Sequence, residues 1–181
     1  MSMVVSPIEG KRVILDVFAD EAVSNREEMN IYDAFKVLQT LGFKYWTPRF
    51  ARNPYSNQVE NLCITSDERW LKEVKKVAEE EHSLSVVCMG APSLKCKTVD
   101  AADANIKAKY MNRQAVIEQT KRVVQNAKEF GASAIRGFST YQIIGGHPED
   151  TFERAIENVY EVADLCKQNQ LLYILEPETG L

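Results

Sequence analysis

The sequence has no surplus of positive charge. Its 22 Lys and Arg stand against 26 Asp and Glu, a formal net charge of −4 with a pI near 5.4. A basic face for nucleic-acid backbones or an anionic membrane is therefore not expected, and the charges are interspersed rather than blocked into tails. Cysteine is sparse and unpaired in pattern: Cys63, Cys88, Cys96 and Cys166 form no CxxC and sit mostly in apolar runs. Such spacing reads as buried thiols in a reducing compartment. Residues 1–12 lack the cationic-then-apolar design of a secretion signal, and no apolar run approaches the length that crosses a bilayer, so a cytoplasmic address is expected. No glycine-rich phosphate loop is present either. Ala19-Asp20-Glu21 stands where a GxGxxG turn would follow the first strand, and GxxxxGK[ST] occurs nowhere, which leaves a nucleotide-binding reading little support.

What is present is the composition of one soluble domain: 181 residues, 45% hydrophobic and 27% charged. That length can bury roughly two-thirds of the unfolded surface without disulfide staples. Apolar periodicity alternates between short continuous runs and helical stripes. Residues 13–18 read Val-Ile-Leu-Asp-Val-Phe, the run of a doubly covered parallel strand, and strands are also expected at 43–47, 84–89, 134–138 and 171–175. Between them fall four helical stripes: Ile31, Ala34, Phe35, Leu38 and Leu41; Trp70, Leu71, Val74, Val77 and Ala78, capped by Ser66; Val116, Thr120, Val123, Ala127 and Phe130; and Phe152, Ile156, Val159, Ala163 and Cys166. This βα repeat without consecutive strands predicts a parallel sheet with helical crossovers.

The connections are lopsided. Helix-to-strand joints are short (Gly42, residues 81–83, 131–133 and 169–170), whereas strand-to-helix joints at 19–30, 48–65, 90–105 and 139–150 are long. In barrels and doubly wound sheets alike, chemistry sits on the elaborated carboxyl end. Both a flavodoxin-sized sheet and part of an eight-stranded barrel fit this order.

The strand ends then narrow the choice. Val87-Cys88-Met89-Gly90-Ala91-Pro92-Ser93-Leu94-Lys95 resembles the "igSPigK" stretch of xylose isomerase-like TIM barrels, the sugar phosphate isomerase/epimerase superfamily. Ala134-Ile135-Arg136-Gly137-Phe138-Ser139 resembles its "yiRvFS" fourth strand, and Leu175-Glu176-Pro177-Glu178-Thr179-Gly180 is similar to its "iEPEPG" after strand five. The phrases Asp33-Ala34-Phe35-Lys36-Val37-Leu38 and Leu41-Gly42-Phe43 match its first crossover, while Trp46-Thr47 stands where a "gyxxvE" glutamate often ends strand two.

The resemblance implies an α/β fold: a parallel (βα) repeat forming a partial TIM barrel with about five of eight strands, a single domain over residues 1–181. A closed barrel takes about 250 residues, so the expectation is an amino-terminal part that stops after strand five and leaves that strand open on one side. The alternative is a half-barrel that pairs with a second copy. It also implies a sugar or polyol substrate, metal-dependent isomerisation or epimerisation through an enediolate-like intermediate, and Glu176 as first ligand of a divalent Mn, Mg or Zn ion. The remaining ligands belong to strands six to eight, so the metal site is expected to be incomplete. Glu176 doubles as the catalytic acid/base candidate. The same scaffold hosts dehydratases, and a non-catalytic, partner-binding α/β module is the alternative of another class.

From the residues themselves, Asp16 breaks an apolar strand and must find water, a cation or donors; it is a candidate substrate-binding group in the pocket, with pairing to a buried arginine or lysine as the rival reading. Lys95 and Arg136, cations near strand ends three and four, suit a substrate phosphate or hydroxyls, with a structural ion pair as the other reading of Arg136. His147, behind Gly145 and Gly146, sits on a loop able to close over substrate, and Glu178 follows Glu176. Trp46 and Phe18 offer either core packing or a face for a sugar ring. His82 lies on the tight end and is expected to be a surface residue.

Overall fold

Each helix hands over to the next strand through one kind of turn. In the computed structural model, which describes residues 15–22, 30–95, 97–98, 110–111, 113–139 and 148–176, the strands are β1 (Phe50–Arg52), β2 (Val59–Asn61), β3 (Cys88–Gly90), β4 (Lys97–Thr98), β5 (Tyr110–Met111), β6 (Ala134–Phe138) and β7 (Leu172–Glu176). The helices are α1 (Ile31–Thr40), α2 (Glu68–Lys76), α3 (Arg113–Phe130) and α4 (Pro148–Gln168), with a π turn, Val77–Glu81, continuing α2. After α1, Gly42 takes φ 80 and the Phe43 N–H reaches back to the Leu38 carbonyl at 3.0 Å. Gly131 (φ 70) and Gln170 (φ 61) end α3 and α4 in the same way, with the Ala132 N–H on Ala127 and the Leu171 N–H on Cys166. This left-handed closure satisfies the last carbonyls of a helix and reverses the chain within two residues. Gln170, and Ser83 (φ 54) behind the π turn, adopt it without being glycine, at roughly 1–2 kcal/mol each.

Strand pairing follows chain order. Phe18 bridges Thr47 and Tyr45 bridges Ser85, both parallel; β3 pairs with β6 and β6 with β7, again parallel. A doubly wound sheet reverses its strand order at a switch point. Here each strand of the wall lies beside the next wall strand in chain order, the arrangement of a barrel, while the antiparallel β1–β2 pair and the parallel β4–β5 pair stand apart from it. Residues 134–138 form a strand as expected and the fifth strand is displaced by one residue. The described part of 13–18, and 43–47, are extended segments joined by single bridges rather than full strands. Of 84–89 only its end lies in β3.

The helix-facing side of this wall is the core. The Trp46 ring meets Phe35 edge-on at 4.7 Å and Phe130 at 5.7 Å between centroids, so Trp46 serves packing and offers no face to a sugar. Three departures from the sequence reading have local causes. Asp67, not Ser66, caps α2, because its carboxylate accepts the Trp70 N–H at 3.0 Å; that bond, then the one from Asn53, holds its pKa below the usual value. The long joint at 48–65 contains the antiparallel β1–β2 hairpin, whose strands of 3 residues are too short for a periodicity to show. It is fastened by buried Asn53, donating to Glu60 and Asp67 at 3.0 Å, and the loop behind it by buried Asn126, donating to the Leu62 and Thr65 carbonyls.

The third departure is the face of α4. The helix starts at Pro148, a favourable first position, and buries Ala155, Val162 and Cys166, while Phe152 and Ile156 from the expected stripe are 61% and 39% exposed. Tyr160 on α4, and Leu172, Ile174 and Leu175 on β7, are exposed as well; among the described residues no strand pairs with the outer edge of β7. Cys63, Cys88 and Cys166 are free thiols, and His82 lies at the tight end against Gln39. Among the described residues no helix is long and apolar enough to cross a membrane.

The two faces of α4 should separate in denaturant titrations. Val162→Ala is expected to cost about 2 kcal/mol, and Phe152→Ser to change stability by less than about 0.5 kcal/mol. The opposite ranking would place α4 in the other rotation.

Candidate active site at the carboxyl ends of the strands

Parallel strands bring their carboxyl ends to one mouth, and the side chains that gather there come from five separate segments. Asp16 and Phe18 stand on the first extended segment and Thr47 and Arg49 on the second. Gly90 ends β3, Arg136 and Phe138 lie two apart on β6, and Glu176 ends β7. Residues two apart on a strand share a face, so Arg136 and Phe138 look the same way, opposite to Ile135, which is buried against the helices.

At the centre is Arg136. Its Nε donates to Glu176 Oε2 at 2.5 Å, and Nη2 contacts the same oxygen. The guanidinium carbon lies over the Phe138 ring at 4.3 Å from the centroid and over Phe18 at 5.3 Å. Phe18 in turn carries Arg49 at 4.3 Å, and Phe138 carries the Lys95 ammonium at 4.3 Å. Cations and rings therefore interleave across the mouth in the order Arg49, Phe18, Arg136, Phe138, Lys95, each contact a cation–π attraction. Phe18, considered above as a stacking face for a sugar ring, is covered by guanidinium groups instead. Its ring sits so close to β3 that a Cβ on Gly90 would meet Phe18 Cε1 at 2.6 Å and Thr47 Cγ2 at 3.0 Å; only glycine fits.

The acids are equally engaged. Arg49 spans buried Asp20 (Nε to Oδ2, 2.9 Å) and Glu21 (Nη2 to Oε1, 2.7 Å). Asp16 accepts from the Thr47 hydroxyl at 2.5 Å and from the Val17 N–H at 2.7 Å. Burial pushes the Asp16 carboxyl above its ordinary value, and these two hydrogen bonds draw it back only in part. Cys88, whose thiol burial pushes up to about 11, feels both the Asp16 and the Arg136 charges, which places the three in one neighbourhood. Beside them, the turn Pro92–Lys95 closes with a Lys95 N–H to Pro92 carbonyl bond of 2.9 Å and holds buried Leu94 at φ 62. Buried Ser93 in that turn carries a hydroxyl without a hydrogen-bond partner among the described residues.

Of the residues singled out from the sequence, Arg136 and Glu176 form one ion pair, Lys95 shares Phe138 with Arg136, and Asp16 stands across Cys88 from them. His147 and Glu178 lie outside the described residues. Thr47, Arg49 and Asp20 escaped the sequence reading, although Asp20 and Arg49 each stand two residues past a bridged strand position, where a barrel collects its functional side chains. A divalent ion takes several oxygen or nitrogen donors. Among the described residues no group of three or more His, Cys, Asp or Glu side chains comes together, and the Glu176 carboxylate is held by a guanidinium. The described donor set does not fit a metal ion.

No protein-family model and no curated protein matches the sequence. Solved structures do. A sugar phosphate isomerase/epimerase from Parabacteroides distasonis superposes with a TM-score of 0.57 at 11% identity, over 96% of this chain and 55% of its own. A xylose isomerase-like TIM barrel protein from Mycobacterium smegmatis, solved in complex with magnesium, gives 0.56 at 15% identity, over 90% and 54%. A 3-keto-D-glucoside 4-epimerase from E. coli gives 0.53 at 16%, over 82% and 51%.

Two variants probe the mouth. Gly90→Ala should cost about 1–3 kcal/mol in denaturant titrations and shift the Arg136 Nε–H resonance as Phe18 is displaced. Thr47→Val should raise the Asp16 carboxyl pKa further, read by carbon-13 titration, since the hydroxyl bond favours the charged form. In the native chain the folded Asp16 already keeps its proton above the unfolded value of 3.8. Its contribution to stability therefore falls as pH rises from 3.8 through the folded pKa.

The chain spans about half the length of the solved relatives it matches, and across that span it has the fold of a xylose isomerase-like TIM barrel, in keeping with an amino-terminal part.

Proposed function

We propose that this chain builds the ligand-binding wall of a sugar isomerase- or epimerase-type barrel, with Asp16, Arg136 and Glu176 as its working groups. The observation that carries the reading is the Arg136–Glu176 pair, set between two aromatic rings at the carboxyl mouth and flanked by the Asp16 carboxyl of raised pKa. The fold shared with sugar-handling barrels adds weight to it. In this reading the open side of β7 is where a sixth strand adds, and residues 1–181 are one part of a single barrel domain.

Isomerising or epimerising a sugar requires a proton to leave carbon beside a carbonyl and to return to a neighbouring carbon or to the other face. The negative charge that builds on oxygen meanwhile must be met by fixed donors. Arg136 supplies those donors. Two of its five N–H groups are engaged by Glu176, which fixes the guanidinium plane and leaves three to face oxygens of the ligand. Glu176 and Asp16 are the two carboxyl groups between which the proton is handled: Glu176 as base, and Asp16, nearer neutrality through burial, as the group that returns a proton. Lys95 serves hydroxyl groups farther along the ligand. No step passes through a metal ion, since completing a metal site at Glu176 takes donors beyond the described residues.

Saturation-transfer NMR of the whole chain against a panel of aldoses, ketoses and polyols tests the reading. Millimolar binding is expected, weakened at least about tenfold by Arg136→Met, the loss of one charge-assisted contact, with an unchanged circular dichroism spectrum. A folded chain that engages no sugar, or an Arg136→Met variant that binds as well as the native chain, would overturn it.

A further inference from the structure

The helix layer holds a recess of its own, on the other side of the wall from the strand mouth. Between α2 and α3 lies a cleft of about 320 Å³, a volume within the range of small-molecule sites. Its α3 wall is a single helical stripe. Arg122, Asn126 and Glu129 stand four and then three residues apart and line the cleft together, as side chains at that spacing do. The α2 wall brings Glu68 and Lys72, with buried Leu71 beside them.

Most of the polar groups in this cleft have nothing to bind. Asn126 is only 4% exposed, and its Nδ2 donates to the Leu62 and Thr65 carbonyls at 3.1 and 3.0 Å. A side-chain amide has two N–H donors and one oxygen acceptor. Nδ2 is therefore fully used, and Oδ1 is left as an acceptor without a partner among the described residues. The side chains of Arg122 and Glu129, both partly buried, form no ion pair or hydrogen bond among the described residues. On the opposite wall Lys72 meets Glu68 only at 3.9 Å, with both side chains more than half exposed. Such a pair opens at little cost.

Along the α3 stripe the order is guanidinium, amide oxygen, carboxylate: one donor followed by two acceptors. A simple anion would suit Arg122 but be repelled by Glu129, and a simple cation would meet the reverse. A small molecule with a carboxylate and an ammonium on one carbon satisfies both ends. Its carboxylate fits the fork of Arg122, with Lys72 approaching from α2. Its ammonium, which only donates, is received by Asn126 Oδ1 and Glu129. Side chains three or four apart on a helix have Cβ atoms about 5–6 Å apart, close enough to serve two groups of one small ligand. We infer that the α2–α3 cleft is a binding site for a free α-amino acid, held by its carboxylate at Arg122 and by its ammonium at Asn126 and Glu129. Glu68 and Lys72 offset one another, so the ligand's side chain needs no charge. The site shares no residue with the mouth and does not rest on the sugar-binding reading.

NMR titration of the whole chain with L-glutamine tests the inference, read at the Arg122 Nε–H and at the Asn126 side-chain amide. Two analogues each lack one group: glutaramate has no ammonium, and γ-aminobutyramide has no carboxylate. L-glutamine is expected to bind in the millimolar range and to shift both signals. Each analogue should bind at least about tenfold more weakly, the loss of one charge-assisted contact. Arg122→Gln and Glu129→Gln should each weaken L-glutamine by a similar factor, with an unchanged circular dichroism spectrum. A folded native chain whose two signals ignore L-glutamine would overturn the inference. So would an analogue that binds as tightly as L-glutamine, or a folded variant that binds it as well as the native chain does. None of these results bears on sugar binding at the mouth, so the two readings stand or fall separately.

Discussion

A guanidinium inside a barrel wall must be paired, and the rest of this mouth is arranged around meeting that demand for Arg136. Its position on β6 opposite β7 lets Glu176 reach it across a single parallel pairing, so the ion pair forms only when the fifth strand is docked in register. Phe138, two residues on, and Phe18, from the far side of the wall, lie against the guanidinium. Phe18 can approach only because Gly90 has no side chain. Four strands are thus committed to the surroundings of one cation, and the site's geometry and the wall's register depend on the same contacts.

The opposite end of the wall obeys a different constraint. There each helix must stop, satisfy its last carbonyls and start a strand within two or three residues, and a left-handed residue does this whether or not it is glycine. That economy frees the carboxyl end to carry the long joints. The β1–β2 hairpin occupies one of them, and its polar fastenings through Asn53 and Asn126 tie it to α2 and α3 instead of leaving it as a loose cover. Rigid backing of this kind keeps Arg49, which begins the same joint, fixed over Phe18.

Much of the fold could be read in advance because it rests on period and punctuation. The stripes of α1, α2 and α3 match the buried residues almost position for position, and Gly42 and Gly131 mark two of the four turns. The α4 stripe misled: Phe152 and Ile156 are apolar and correctly spaced, but a helix flanking an open sheet edge has two apolar sides, and periodicity does not say which one docks. The site was legible in its types and not in its partnerships. Lys95, Arg136 and Glu176 stood out as charges at strand ends, whereas Thr47, Asp20 and Arg49 did not, since their meaning lies in whom they touch.

The sequence by itself determined the alternation of strands and helices, the end of the sheet at which chemistry gathers, and the resemblance to isomerase barrels, because each depends on local residue order. Only the tertiary structure decided that the strands of the wall run side by side in chain order, that Trp46 belongs to the core, and that Arg136 pairs with Glu176 and Arg49 with Asp20 and Glu21. Those outcomes turn on side chains distant in sequence meeting within a few ångströms, Arg136 with Glu176 and Arg49 with Asp20, and at such range electrostatics and close packing, not local propensity, set the result.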